Sequence, residues 1–129
     1  MSQLSSTRIL IVDDSSVLRK VIMGILKDLG IPGDQIQEAC DGVEGVQQAL
    51  SKPFQLILMD WNMPNMLGID AVKAIRQAGN TTPILMVTTE GERANVIAAI
   101  QAGANNYLVK PFTGEDIRDK ISQMIPGFS

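Results

Sequence analysis

Histidine is absent from the 129-residue chain, and cysteine occurs once. Without histidine there is no Cys–His zinc finger and no Ser-His-Asp triad. Any phosphohistidine in the chemistry must therefore sit on another protein. The single Cys40 permits no internal disulfide, which suits a reducing compartment and a cytoplasmic address. Cys40 itself is expected to be an inert core residue, since free cysteines are commonly buried. Long apolar runs are also missing. The longest spans about five residues, against the roughly 20 that a membrane helix needs, so no membrane insertion is expected. Met1 to Thr7 is polar, lacks a signal-peptide core and reads as a short frayed tail. Nor is there an excess of positive charge. The net charge is −3, whereas a nucleic-acid binder needs a basic face, so nucleic acid is not an expected partner.

What is present is enough apolar residue, 45%, to build the core of one domain. The expectation is a single domain over 1–129, its core about 8–124, with no output domain following. Short apolar runs alternate with amphipathic segments. Ile9–Val12, Leu56–Met59, Ile84–Val87 and Tyr107–Val109 are apolar at every residue, the mark of parallel strands buried on both faces. Ile36 to Cys40 mixes in Gln37 and Glu38, as a half-exposed edge strand would. Between the runs lie helical spacings. Val17, Val21, Ile25 and Leu29, with Leu18, Ile22 and Leu26, form one broad apolar face, stopped by Gly30 and Pro32. Val43, Val46 and Leu50 mark a second helix, begun by the Asp41-Gly42 turn. Ile69, Val72 and Ile75 mark a third, and Ala94, Ile97 and Ile100 a fourth. Ile117, Ile121 and Met124 mark a fifth, capped by Thr113 with Asp116 in an imperfect capping box. Five strand–helix units in alternation predict an α/β fold: a doubly wound, five-stranded parallel sheet in a three-layer α/β/α sandwich. The expected strand order is 2-1-3-4-5, the flavodoxin-like arrangement, with its ligand site where the order reverses.

The residues just beyond each apolar run therefore meet at one sheet edge. They are Asp13-Asp14, Asp60, Thr88-Thr89 and Lys110-Pro111. Two like charges about 4 Å apart cost roughly 4 kcal/mol at an effective dielectric near 20, so three acids need protons or a cation. Oxygen ligands without His or Cys suit a hard ion such as Mg²⁺, which commonly bridges to phosphoryl oxygens. Lys110 brings a cation for a carboxylate or phosphoryl oxygen, and Thr88 brings a hydroxyl. A carboxylate nucleophile forming an aspartyl phosphate is a known mode of covalent catalysis, and phosphoryl transfer asks mainly for positioning and charge neutralisation. Each residue alone has a plainer reading. Asp13 or Asp14 could cap a helix, Asp60 could be a turn residue before Pro64, Thr88 could start a helix, and Lys110 could be a solvated charge. Their joint placement and complementary chemistry favour the site.

These residues carry a family resemblance. Met59-Asp60-Trp61-Asn62-Met63-Pro64-Asn65-Met66, Gln101-Ala102-Gly103-Ala104, Lys110-Pro111-Phe112-Thr113 and Asp13-Asp14 resemble the response-regulator receiver domain over about Arg8 to Met124. Among receivers, the stand-alone, chemotaxis-type members match best. The resemblance implies that Asp60 is the phosphoacceptor, with a histidine kinase as phosphodonor. It implies that Asp13 and Asp14 organise Mg²⁺, with Asp14, Asp60 and the backbone carbonyl of Asn62 as direct ligands. Lys110 would bind the phosphoryl group, and its bond to Pro111 would be cis. Thr88 and Tyr107 would be the switch pair, the ring following the hydroxyl inward as phosphorylation shifts the population. From the residues alone, Tyr107 is a half-buried strand aromatic. The readout face would be the fourth helix, fifth strand and fifth helix, including Val96, Ile100, Ala104, Tyr107 and Lys120, and would receive a downstream protein target. Asn62 and Glu90 would tune dephosphorylation. Two positions depart from the family pattern. Leu67 stands where many receivers have Asp, and Thr89 replaces a smaller residue, narrowing access to Asp60. The unphosphorylated chain is expected to be a monomer.

This reading makes the chain a signalling switch that works by contact, not an enzyme beyond its own phosphorylation and dephosphorylation. Motility control, a phosphorelay step and a scaffold role all suit it. One competitor is a binding module that kept the fold and lost phosphorylation, but all five site residues are present. A haloacid-dehalogenase-type phosphatase wants a second acid two residues after the nucleophile, where Asn62 stands. A flavodoxin-type flavin binder wants a hydroxyl-rich phosphate loop after the first strand, where Asp13-Asp14 would repel phosphate.

Overall fold

The structure is a computed structural model that describes residues 7–125; the frayed tail expected at the start lies mostly outside them. Strands β1 (Ile9–Val12), β2 (Ile36–Ala39), β3 (Leu56–Met59), β4 (Ile84–Thr88) and β5 (Asn106–Val109) form one parallel sheet. Its order is β2-β1-β3-β4-β5, as the alternation predicts. Helices α1 (Ser16–Asp28), α2 (Gly42–Ser51), α3 (Gly68–Gln77), α4 (Arg93–Ala102) and α5 (Gly114–Met124) connect them, with a short 3-10 turn at Gly33–Gln35. One face of the sheet packs Ile9, Ile11, Leu56, Leu58, Leu85 and Val87 against α1 and α5 through Ile22, Leu26, Ile117 and Ile121. The other packs Leu10, Val12, Ile57, Met59, Ile84 and Met86 against α2, α3 and α4. Alternate side chains of each central strand thus enter opposite cores, which is why β1 and β3 are apolar throughout and β4 is apolar up to Thr88.

Several sequence expectations need correction. The apolar face of α1 is narrower than its pattern. Ile22 and Leu26 are buried, while Val17 and Val21 are 72% and 49% exposed. On α4 the Ile97 and Ile100 stripe faces solvent, and Ala99 is the buried residue. α2 packs through Gly42, Gly45 and Ala49, leaving Val43 and Leu50 exposed. Small residues win there because the helix lies close to the sheet: a Cβ at Gly45 would sit 2.8 Å from a Val12 methyl. β5 is an edge strand rather than one buried on both faces, with Val109 exposed. Cys40 is exposed, not core, because sheet pairing ends at Ala39 and the chain has already turned toward α2. The thiol donates to Glu44 Oε2 at 3.5 Å, and that bond, helped by the Glu44 charge, pushes its pKa up. The Thr113–Asp116 capping box is complete: Asp116 N–H donates to Thr113 Oγ1, and Thr113 N–H to Asp116 Oδ2.

Candidate functional site

The register of the central strands builds the site. Val12 pairs with Met59, so Asp13 and Asp60 emerge side by side one residue later, at the point where the strand order reverses. Thr88 ends β4 and pairs with Val109, which places Lys110 next along the same edge. Asp13 and Asp60 are buried, Thr88 is wholly so, and Asp14 is exposed. All three acids converge as expected: they offer carboxylate oxygens within 4.8 Å of one another.

Lys110 answers that crowding. Its amine donates to Asp13 Oδ2 at 3.1 Å and lies 3.5 Å from Asp60 Oδ1. Asp60 is fixed further by Trp61 N–H, which donates to its Oδ1 at 2.8 Å. The Asp60 carboxyl is pushed above its ordinary value, first by burial and then by the Asp13 charge; Lys110, Trp61 N–H and the Thr88 hydroxyl oppose the shift.

Asp13 is the pinned member of the trio. Its N–H donates to the Ala39 carbonyl, and its Oδ1 accepts Ser15 N–H at 2.8 Å. Its carbonyl accepts Arg19 Nη1 at 2.6 Å. Ser15, rather than either acid, caps α1. The donor set is entirely oxygen and fits a small hard cation. Octahedral Mg²⁺ holds its ligands at about 2.0–2.1 Å, hence roughly 3–4 Å from each other, a small side-chain adjustment from this spacing.

The loop after Asp60 is held tightly. Gly68 N–H donates to the Trp61 carbonyl at 2.8 Å, and a Cβ at Gly68 would lie 1.8 Å from the Asp60 carbonyl oxygen. Only glycine permits that approach. Asn65 takes a left-handed φ of 69° and donates to Asp41 Oδ2 at 2.7 Å, tying the loop to the cap of α2. Leu67 is the exposed N-cap of α3 and supplies no side-chain cap bond, a direct consequence of the departure noted there.

Around the site, Asn62 donates to Glu90 Oε2 at 3.0 Å and Asn95 to Glu90 Oε1 at 3.2 Å. Glu90 N–H donates to Thr88 Oγ1 at 3.3 Å. The Tyr107 ring is buried rather than half-buried, and its hydroxyl donates to the Glu90 carbonyl. Burial and the Glu90 and Asp60 charges push that hydroxyl up to about 12. Thr89 is exposed and lines a hollow of about 420 Å³ with Leu18, Val21, Lys110, Pro111 and Phe112. The Lys110–Pro111 bond is cis, as the resemblance implied.

The residues named for the expected readout face differ in exposure. Ala104 and Tyr107 are buried and contribute little surface. Ile100 is exposed, Val96 is half-buried, and half-buried Lys120 donates to Asn106 Oδ1 at 3.3 Å. Ile97, three residues before Ile100 on α4, is exposed as well. Sequence reasoning also missed Arg19, Asn65 and Asn95. Asn65 carried a signal, since Asn is the side chain that best tolerates left-handed backbone. Arg19 and Asn95 carried none, because a polar residue on a helix reads as solvated.

The profile of the response regulator receiver domain matches residues 9–122, and the chain belongs to that family. It is a two-component response-regulator domain, a class of signalling protein rather than of classical enzyme. It is 41% identical over 119 residues to chemotaxis protein CheY-3 of Vibrio cholerae, covering 91% of this chain and 90% of that protein. It is 43% identical to chemotaxis protein CheY of Pseudomonas aeruginosa, covering 91% and 94% respectively. Among solved structures, Vibrio cholerae CheY4 superposes with a TM-score of 0.84 at 35% identity, covering 92% of this chain and 98% of that one. The receiver domain of the Pseudomonas aeruginosa sensor histidine kinase PA1611, with magnesium coordinated in its active-site cleft, gives 0.82 at 30% identity over 92% and 96%.

Proposed function

We propose that the protein accepts a phosphoryl group on Asp60 from a partner histidine kinase, with Mg²⁺, and signals by contact in chemotaxis or motility control. The observation that carries this is the Lys110 amine standing between Asp13 and Asp60, where the carboxylates of Asp13, Asp14 and Asp60 converge. Asp14, Asp60 and the Asn62 carbonyl would hold the ion, and Asp13 would organise the site through Lys110. When bound, Mg²⁺ supplies charge neutralisation for the phosphoryl oxygens. An Asp60 oxygen attacks phosphorus as the bond to the donor imidazole breaks, the electron pair leaving with the imidazole. Lys110 pairs with a phosphoryl oxygen, and the Thr88 hydroxyl bonds another. Thr88 then leaves the Glu90 N–H, and the buried Tyr107, hydrogen-bonded to the same residue, is held inward. Asn62, Glu90 and Thr89 control the approach of water and so the lifetime of the mark.

The change is read on the face formed by α4, β5 and α5, where Ile97 and Ile100 offer apolar surface to a target helix. The names of the curated relatives favour motility control over a phosphorelay step. The test is incubation with acetyl phosphate and Mg²⁺ followed by intact mass measurement. One added phosphoryl unit is expected in the wild type and none in Asp60→Asn. No adduct in the wild type would leave a binding module that kept the fold alone.

A further inference from the structure

Arg19 lies outside every site residue assigned so far, yet it is the group that grips the backbone of the metal loop. Its Nη1 donates to the Asp13 carbonyl at 2.6 Å, and its Nε donates to Glu38 Oε1 at 2.9 Å. The side chain thus reaches from the first turn of α1 back over the β1–α1 turn to the edge strand β2. Its side chain is 15% exposed and that of Glu38 is 39% exposed. An ion pair whose carboxylate is open to solvent adds little to stability. Its geometry is the notable part: one planar fork spends separate N–H groups on two acceptors from two elements, which an ammonium on a flexible stem does not reproduce.

The Asp13 carbonyl is followed directly by Asp14, the exposed acid of the trio. Fixing that carbonyl fixes the peptide plane from which Asp14 springs. Asp13 is already tied by Ala39, Ser15 and Lys110, so the turn between Asp13 and Asp14 is the point at which Arg19 has leverage. Partners behind the direct ligands of a metal orient those ligands and commonly govern affinity. We infer that Arg19 is a positioning residue for the divalent cation, acting through the Asp13 carbonyl to aim the Asp14 carboxylate. This rests on the reading that the acid trio binds Mg²⁺.

Charge and positioning predict opposite signs here. A cation near the site repels Mg²⁺, so if charge alone mattered, Arg19→Gln would bind the ion more tightly. If positioning matters, the same variant binds it more weakly. The experiment titrates Mg²⁺ into metal-free protein and follows Trp61 fluorescence in wild type, Arg19→Gln and Arg19→Lys. Expected is a dissociation constant raised about tenfold in Arg19→Gln and severalfold in Arg19→Lys, which keeps the charge. The unfolding midpoint of both variants in EDTA should stay near that of the wild type. Equal or tighter binding in either variant overturns the inference while leaving the metal site standing. If Arg19→Gln fails to fold, Arg19→Lys decides alone. A wild type that shows no Mg²⁺-dependent change would sink the metal reading and this inference together.

Discussion

Replacing Asp60 with Asn should make the metal-free protein more stable. Both other acids lie within 4.8 Å of Asp60, and each costs its charged form about 3.5 kcal/mol at an effective dielectric near 20. Lys110, at 3.5 Å, offsets about 4.7 kcal/mol of this. Asp14 is exposed and partly screened, but burial of Asp60 adds to the cost. The balance is about 1–2 kcal/mol against the ionised carboxylate, in the same direction as its raised pKa. For a domain of this length, that is a gain of about 4–8 °C in unfolding temperature for Asp60→Asn. The pH dependence follows from the sign of the shift. A carboxyl whose folded pKa is raised binds its proton more tightly when folded, so ionisation removes stability as pH climbs through the raised value. The gap between variant and wild type should therefore be small in acid below the ordinary carboxylate range, and open toward neutral pH. Saturating Mg²⁺ should close it by stabilising the wild type, which keeps both ligands. Circular dichroism melts in EDTA and in Mg²⁺, across pH, measure all three. A variant no more stable than wild type in EDTA at neutral pH, or a gap that widens toward acid, would refute the reasoning.

Other perturbations have equally definite outcomes. Lys110→Gln removes the amine between Asp13 and Asp60, so it should lower the unfolding temperature in EDTA and recover much of the loss with Mg²⁺, as the same melts would show. Gly68→Ala forces a methyl against the Asp60 carbonyl; it should cost about 3 kcal/mol or more in urea unfolding and abolish phosphorylation. Tyr107→Phe keeps the ring buried and loses the bond to the Glu90 carbonyl, costing about 1 kcal/mol in the same urea unfolding without blocking acetyl phosphate.

The sheet was legible because its central strands are apolar at every residue but Thr88, the last of β4, a pattern that burial on both faces imposes on β1, β3 and β4. The site followed from topology, since strand ends in a doubly wound sheet share an edge. Helix faces were read less well. Val17 and Val21 on α1, and Ile97 and Ile100 on α4, fit an apolar spacing yet face solvent. Periodicity reports where apolar side chains stand, not whether another element covers them. On α2 the opposite holds: Gly45 and Ala49 make the close contact because they are small, so an apolar pattern points at Val43 and Leu50 instead. Cys40 shows the cost of applying an average burial to a residue that sits one position past the end of its strand. The Arg19 contacts were invisible because they join residues 6 and 19 positions apart across a turn, where side-chain direction rather than spacing decides.

The most direct measurement is the chemical location of the phosphoryl group. Borohydride reduction of the protein after acetyl phosphate treatment converts an acyl phosphate to an alcohol, and peptide mass spectrometry then reads the altered residue. The account predicts homoserine at position 60 alone, formed only when Mg²⁺ is present. Reduction at Asp13 or Asp14, or phosphate found as a stable ester on Thr88 or Thr89, would contradict it.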